Sequence, residues 1–165
     1  MNGEATTMPN DPCHDFDFLF GSATVRHRRL AERLAGCNDW IEFDGTQSAW
    51  PLFGGLANVD DNQFELPDGT SRGVSLRSFD PASQTWAIWW LSDRSPHALD
   101  VPVVGRFVDG IGTFLADDTL RGQPIVVRFT WSNITANSSE WEQAFSPDGG
   151  ATWEPNWSMR FTKSV

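Results

Sequence analysis

The sequence has no tyrosine, one lysine, three histidines and two cysteines in 165 residues. Each scarcity removes a kind of chemistry. Without tyrosine there is no phenol to act as an acid or as the polar tip of an apolar side chain. The single lysine, Lys163, stands close to the end of the sequence, which leaves little scope for a lysine Schiff base. Cys13 and Cys37 are too few for a disulfide framework or a four-cysteine zinc site. Positive charge is also short. Twelve basic residues face 22 acidic ones, a net charge of −10, which argues against a nucleic-acid partner or an anionic membrane surface. No apolar run is long enough to cross a bilayer, and the mean hydropathy of −0.37 predicts a water-soluble globular protein. Residues 1–12 carry no charged-then-apolar leader, so a cytoplasmic location is expected. Nucleophile-elbow, dinucleotide and phosphate-loop glycine motifs are missing as well.

Aromatic volume is abundant, with nine tryptophans and twelve phenylalanines. The length suits one domain with a single core, expected at residues 15–165 behind a flexible tail at 1–14. Turn signals recur at short intervals: Gly54-Gly55, Pro67-Asp68-Gly69, Asp80-Pro81, Asp109-Gly110, Gly122-Gln123-Pro124 and Ser146–Gly150. Between them lie strand-length runs rich in Val, Ile, Thr, Phe and Trp. The spacing predicts an all-β antiparallel meander of about ten strands, closed into a barrel or sandwich. Helix-like composition occurs only at 28–35, read as the end of the first strand followed by a short turn or helix, so at most one short helix is expected. Alternation assigns faces. Ala23, Val25 and His27 share one side of the first strand. Ile125, Val127, Phe129 and Trp131 oppose Val126, Arg128, Thr130 and Ser132; Trp157, Met159 and Phe161 oppose Asn156, Ser158 and Arg160. The run Trp86–Leu91 is apolar on both faces and therefore needs cover inside and outside.

Phe16-Asp17-Phe18-Leu19-Phe20-Gly21, Ser78–Ala82 leading to Trp86, Val104-Gly105-Arg106-Phe107, and Arg128–Thr135 followed by Trp141-Glu142 and Asp148–Trp153 together resemble the DUF1579-type, calycin-like (lipocalin- and nitrobindin-like) bacterial proteins. The resemblance covers roughly residues 14–163. It implies a closed antiparallel barrel able to hold one small ligand, and it implies no reaction. Where the family usually has tryptophan two residues after the opening glycine, this chain has Ala23, which should enlarge the cavity there or leave a gap for another aromatic. Ser146–Trp153 also fits the S-x-D-x-G-x-T-W hairpin device of sialidase propellers. It occurs once, with no internal repeat, and is read as a hairpin.

Few residues offer chemistry. His27, on the apolar side of its strand, is expected to point into the barrel, as a proton shuttle or ligand hydrogen-bonder with a depressed pKa, or as a satisfied structural histidine. Asp93–Asp100 gathers titratable groups in a loop. There Arg94 could clamp a carboxylate and His97 with Asp100 could form an acid–base pair, or all three could be solvated. Arg106 and Arg128 could anchor an anionic ligand or lay their stems along the exterior. Asp60-Asp61 and Asp117-Asp118 are read as solvated turn acids, because adjacent strand residues point to opposite faces and no third ligand is spaced for a metal. Haem is disfavoured because no histidine follows His97. The leading expectation is cofactor-free binding of one mostly apolar small molecule, contacted by His27, Trp89, Arg94, Arg106, Arg128, Trp131, Trp141, Trp157 and Met159. Two alternatives stand beside it. One is an isomerase, cyclase or hydrolase on the same cavity, with His27, or His97 with Asp100, moving a proton; the other is a homodimeric module built on the Trp86–Leu91 strand.

Overall fold

A computed structural model describes residues 11–165. Most of the expected tail, residues 1–10, lies outside the described residues. Ten antiparallel strands follow one another: β1 (Gly21–Leu30), β2 (Trp40–Leu52), β3 (Ala57–Leu66), β4 (Gly69–Asp80), β5 (Thr85–Ser92), β6 (Val103–Val108), β7 (Ile111–Leu120), β8 (Gln123–Ser132), β9 (Ser138–Ser146) and β10 (Glu154–Lys163). Each pairs with its sequence neighbours, and β1 also pairs with β10, so the sheet closes on itself. The all-β closed barrel expected from the sequence is present. Helical structure among the described residues amounts to three single 3₁₀ turns: Pro12–His14, Asp17–Leu19 and Phe53–Gly55. No helix among these residues is long and apolar enough to cross a membrane. The helix-like segment after β1 is instead irregular chain at 31–39, with Leu34 and Gly36 at positive φ.

Tight turns set the register. Asp109-Gly110 and Arg121-Gly122 both hold positive φ at the two central positions, the geometry whose twist matches that of paired strands. The Ser146–Trp153 motif forms the β9–β10 hairpin. Asp148 accepts hydrogen bonds from the Ser146 hydroxyl and the Thr152 amide, both at 2.8 Å, while Gly149 and Gly150 supply positive φ. Trp153 packs beneath the Arg128 guanidinium, 4.1 Å from ring centre.

Alternation places the predicted inward faces inward on β1 and β8. On β10 it is interrupted. A bulge between Pro155 and Trp157 turns Asn156 into the interior, where its Oδ1 accepts from Gln143 Nε2 at 2.9 Å. The expected outward position of Asn156 is thus corrected, because a bulge shifts side-chain parity by one.

The 3₁₀ segment before β1 plugs the lower end of the barrel. Phe16, fully buried, meets Trp86 and Phe107 edge-on, with ring centroids 5.0 Å apart in each case. Trp86 Nε1 donates to the Pro12 carbonyl at 3.1 Å, so the inner side of the doubly apolar β5 run is covered from within by this segment. Ala23 is buried in the same core cluster, in which the Trp131 ring meets Phe16 edge-on at 6.3 Å and Phe161 at 5.2 Å.

Candidate functional site: the barrel lumen

Above the aromatic plug the lumen holds a cavity of about 170 Å³. Its walls are Ile88 and Trp90 from β5, Val127, Phe129 and Trp131 from β8, Trp141 and Phe145 from β9, and Trp157, Met159 and Phe161 from β10. A second sector, on β2–β4, is polar. Gln47, Asp60, Asn62, Ser75 and Arg77 line it, and every one of them is buried.

Asp60 organises that sector. It is completely buried and accepts from Gln47 Nε2 at 3.1 Å, from the Ser75 amide at 2.9 Å, from Asn62 Nδ2 and from Arg77 Nη2. An ionised carboxylate offers about four acceptor sites, and here four donors meet them. Arg77 gives a second bond, from Nη1 to Asn58 Oδ1 at 2.9 Å, and its guanidinium lies 5.1 Å over the Phe16 ring. The ion pair thus sits on the plug at the cavity floor. Reading Asp60 as a solvated turn acid is corrected. It lies in the middle of β3, on the face carrying Asn58, Asn62 and Phe64, and its burial is tolerated because Arg77 balances its charge. The sequence signal lies in the parity of β3 and β4, where Asp60 shares its face with Phe64 and Arg77 with Phe79.

The upper rim carries Arg33, Asp100, Val101 and Asp118. Only three residue pairs join β5 to β6. Above them the 93–102 loop fills the gap, with the Asp100 amide donating to the Trp90 carbonyl at 3.0 Å. Partial burial, then the nearby Asp118 charge, push the Asp100 carboxyl up, against the pull of Arg33. Burial and Arg121 push the Arg33 guanidinium down, opposed by Asp100.

Trp131, Trp141, Trp157 and Met159 line the cavity. Trp89 does not: the parity of β5 sends Trp86, Ile88 and Trp90 inward, and Trp90 takes the position expected of its neighbour. The Trp90 indole lies directly over Gly73, where a Cβ would collide with it. Arg94 is on the exterior, bonded through both Nη atoms to Asp68 (3.2 and 2.9 Å). Arg106 faces solvent, and Arg128 is stacked on Trp153. His97 is exposed and, among the described residues, makes no hydrogen bond with Asp100.

His27 points inward but not into the open space. It is 1% exposed, stacked on Phe43 at 4.5 Å and edge-on to Phe64 at 5.1 Å. Trp157 Nε1 donates to its Nδ1 at 3.1 Å. Burial first, then the Arg29 charge, lower its pKa from 6.5 to about 3. A ring that accepts at Nδ1 carries its proton on Nε2 and stays neutral at pH 7. Through this bond His27 holds the indole of Trp157, a residue of the cavity wall.

No family model matches the chain, and no curated protein matches it. Among solved structures it is similar to the S-type phycobiliprotein lyase CPES from Guillardia theta, with 8% sequence identity, a TM-score of 0.60, and coverage of 91% of this chain and 90% of that one. At that identity the likeness is one of fold. The chain is a closed ten-stranded antiparallel barrel with an aromatic-walled cavity and a polar floor.

Proposed function

We propose that this protein binds one small, mostly apolar organic molecule in the barrel lumen without a cofactor, and that it belongs with the DUF1579-type calycin-like proteins its sequence resembles. The observation that carries the binding role is the cavity: about 170 Å³, walled by rings and floored by converging polar groups, the usual composition of a small-molecule site. A cavity of about 150 Å³ accommodates benzene, so a compound of one ring with a short substituent fits the space. Likeness to a phycobiliprotein lyase supplies the fold and no residue roles. An enzyme that shuttles protons through His27 or His97 fits less well, since one ring is packed outside the open space and the other is exposed.

Titration with single-ring compounds should change the tryptophan emission, because Trp90, Trp131, Trp141 and Trp157 all face the cavity. Val127→Phe, which adds a ring to the cavity wall, should weaken the best binder at least about tenfold while the barrel stays folded; each tenfold is about 1.4 kcal/mol. Equal affinity in this variant would place the ligand outside the lumen.

A second role has its own observation. Outside the barrel, Trp50, Val59, Leu76 and Trp89 lie in register across β2–β5, and Ala87, Val104 and Leu115 across β5–β7. Leu76, Val104 and Leu115 are 41%, 44% and 45% exposed. We propose that a second copy of the chain covers this face, as contiguous exposed apolar surface marks association sites. The mass from light scattering should be that of a dimer and should halve in Trp89→Glu. A wild-type monomer at high concentration would end this proposal.

A further inference from the structure

We infer that the lumen selects a neutral ring compound bearing an N–H or O–H donor, and rejects carboxylates. This rests on the binding role proposed above and adds the chemical class of the ligand. The inference follows from the way Asp60 orients its neighbours. An ionised carboxylate only accepts, so Gln47 and Asn62 must turn their NH₂ groups towards it. Asn62 Nδ2 also donates to the Gly73 carbonyl at 3.3 Å, another acceptor-only partner. The amide oxygens of both side chains are thereby aimed away from Asp60. The same logic runs through β10. Asn156 Nδ2 donates to the Glu154 carbonyl at 3.5 Å, its Oδ1 takes the Gln143 NH₂ group, and the Gln143 oxygen is left free.

Among the described residues none of these three oxygens accepts a side-chain or backbone hydrogen bond, yet the only sealed and unpartnered side-chain polar atom is Arg77 Nε. Gln47, Asn62 and Gln143 are themselves buried and line the cavity, so the space open to their oxygens is the lumen. Three acceptors therefore converge on it. The lining charges agree. Asp60, Asp100 and Asp118 stand against Arg33 and Arg77, three carboxylates to two guanidiniums, and Arg77 is already matched by Asp60. A ligand carboxylate would meet oxygens and a net negative wall. A hydroxyl or amino hydrogen would satisfy acceptors that otherwise face an apolar guest unpaired. The anionic-ligand role weighed for the arginines of the sequence thus gives way to the opposite polarity.

The test uses four probes of one ring: phenol, anisole, toluene and benzoate, with dissociation constants from ligand-observed NMR at pH 7. Phenol should bind at least about tenfold more tightly than anisole, which keeps the oxygen but lacks the donor, and than benzoate; sites built to hydrogen-bond a donor discriminate against analogues without it. Gln47→Leu should bring the phenol and anisole constants together while toluene binding is kept. Asp60→Asn, whose amide no longer dictates the direction of its neighbours, should narrow the gap between phenol and benzoate. Anisole or benzoate binding as tightly as phenol would overturn the donor requirement and leave the lumen site standing. Failure of all four probes to bind would remove the lumen site itself, and this inference with it.

Discussion

Lowering the pH from 6.5 to 4.5 should destabilise the native protein by about 2 kcal/mol, and a His27→Gln variant should lack that loss. The sign follows from the histidine's burial. Folding drops its pKa from 6.5 to about 3, so between those values the unfolded chain binds a proton that the native chain refuses. Stability is then fully present above pH 6.5 and declines as pH falls, at up to 1.36 kcal/mol per unit. By pH 3 the loss from this one group reaches about 4 kcal/mol, a large share of the 5–15 kcal/mol typical of domains. The glutamine amide of the variant would still offer Trp157 an acceptor and would not titrate. The window matters because Asp68, Asp80, Asp93 and Asp148, whose carboxyls are held low by hydrogen bonds from Arg94, Ala82, Ser71 and Thr152, lose their contribution only below the ordinary aspartate range. Asp15 and Asp100, raised by burial, act in the opposite direction. Urea unfolding at half-unit pH steps would check the prediction. Parallel slopes for wild type and variant between pH 6.5 and 4.5 would show that His27 is not the group responsible.

The second large effect is expected at the cavity floor. Asp60→Leu or Arg77→Leu alone should each cost about 3–5 kcal/mol, because each leaves an uncompensated buried charge. For a chain of this size that corresponds to a fall in Tm of roughly 10 °C or more. Asp60→Leu has the further consequence of orphaning the Ser75 amide and the NH₂ groups of Gln47 and Asn62. The double variant Asp60→Leu/Arg77→Leu should be more stable than either single, with a coupling energy above about 1 kcal/mol, since removing both charges removes the mismatch. Thermal unfolding of the four proteins completes the cycle. Additive losses would mean that the two groups do not compensate one another in the folded state.

These two predictions concern groups whose residue types were plain in the sequence and whose surroundings were not. Alternation with Ala23 and Val25 turns His27 inward, where the structure has it, but alternation says nothing about height along a barrel. Whether an inward ring faces open space or is sandwiched depends on what β2, β3 and β10 bring against it: Phe43, Phe64 and Trp157. Asp60 lay in a pair of acids that looked like a turn. It became an interior carboxylate because the neighbouring strand β4 carries Arg77 at a matching parity, a pairing between positions 17 apart. Trp89 and Trp90 were indistinguishable as neighbours in a run apolar on both sides, and one residue of phase sends one outward and the other over the cavity.

Period-two alternation and the glycine-marked turns, both local, determined that this chain forms short antiparallel strands in about the observed number, and which faces of most strands are apolar. The aromatic excess likewise determined that the interior would be built of rings. Closure of β1 on β10, the plugging of one end by Phe16, the parity shift at the β10 bulge and the meeting of Asp60 with Arg77 were decided by tertiary structure. They are contacts between residues distant in the chain, where one polar group becomes tolerable only once another arrives. The cavity is what remains after those contacts are made, a volume that no single segment encodes.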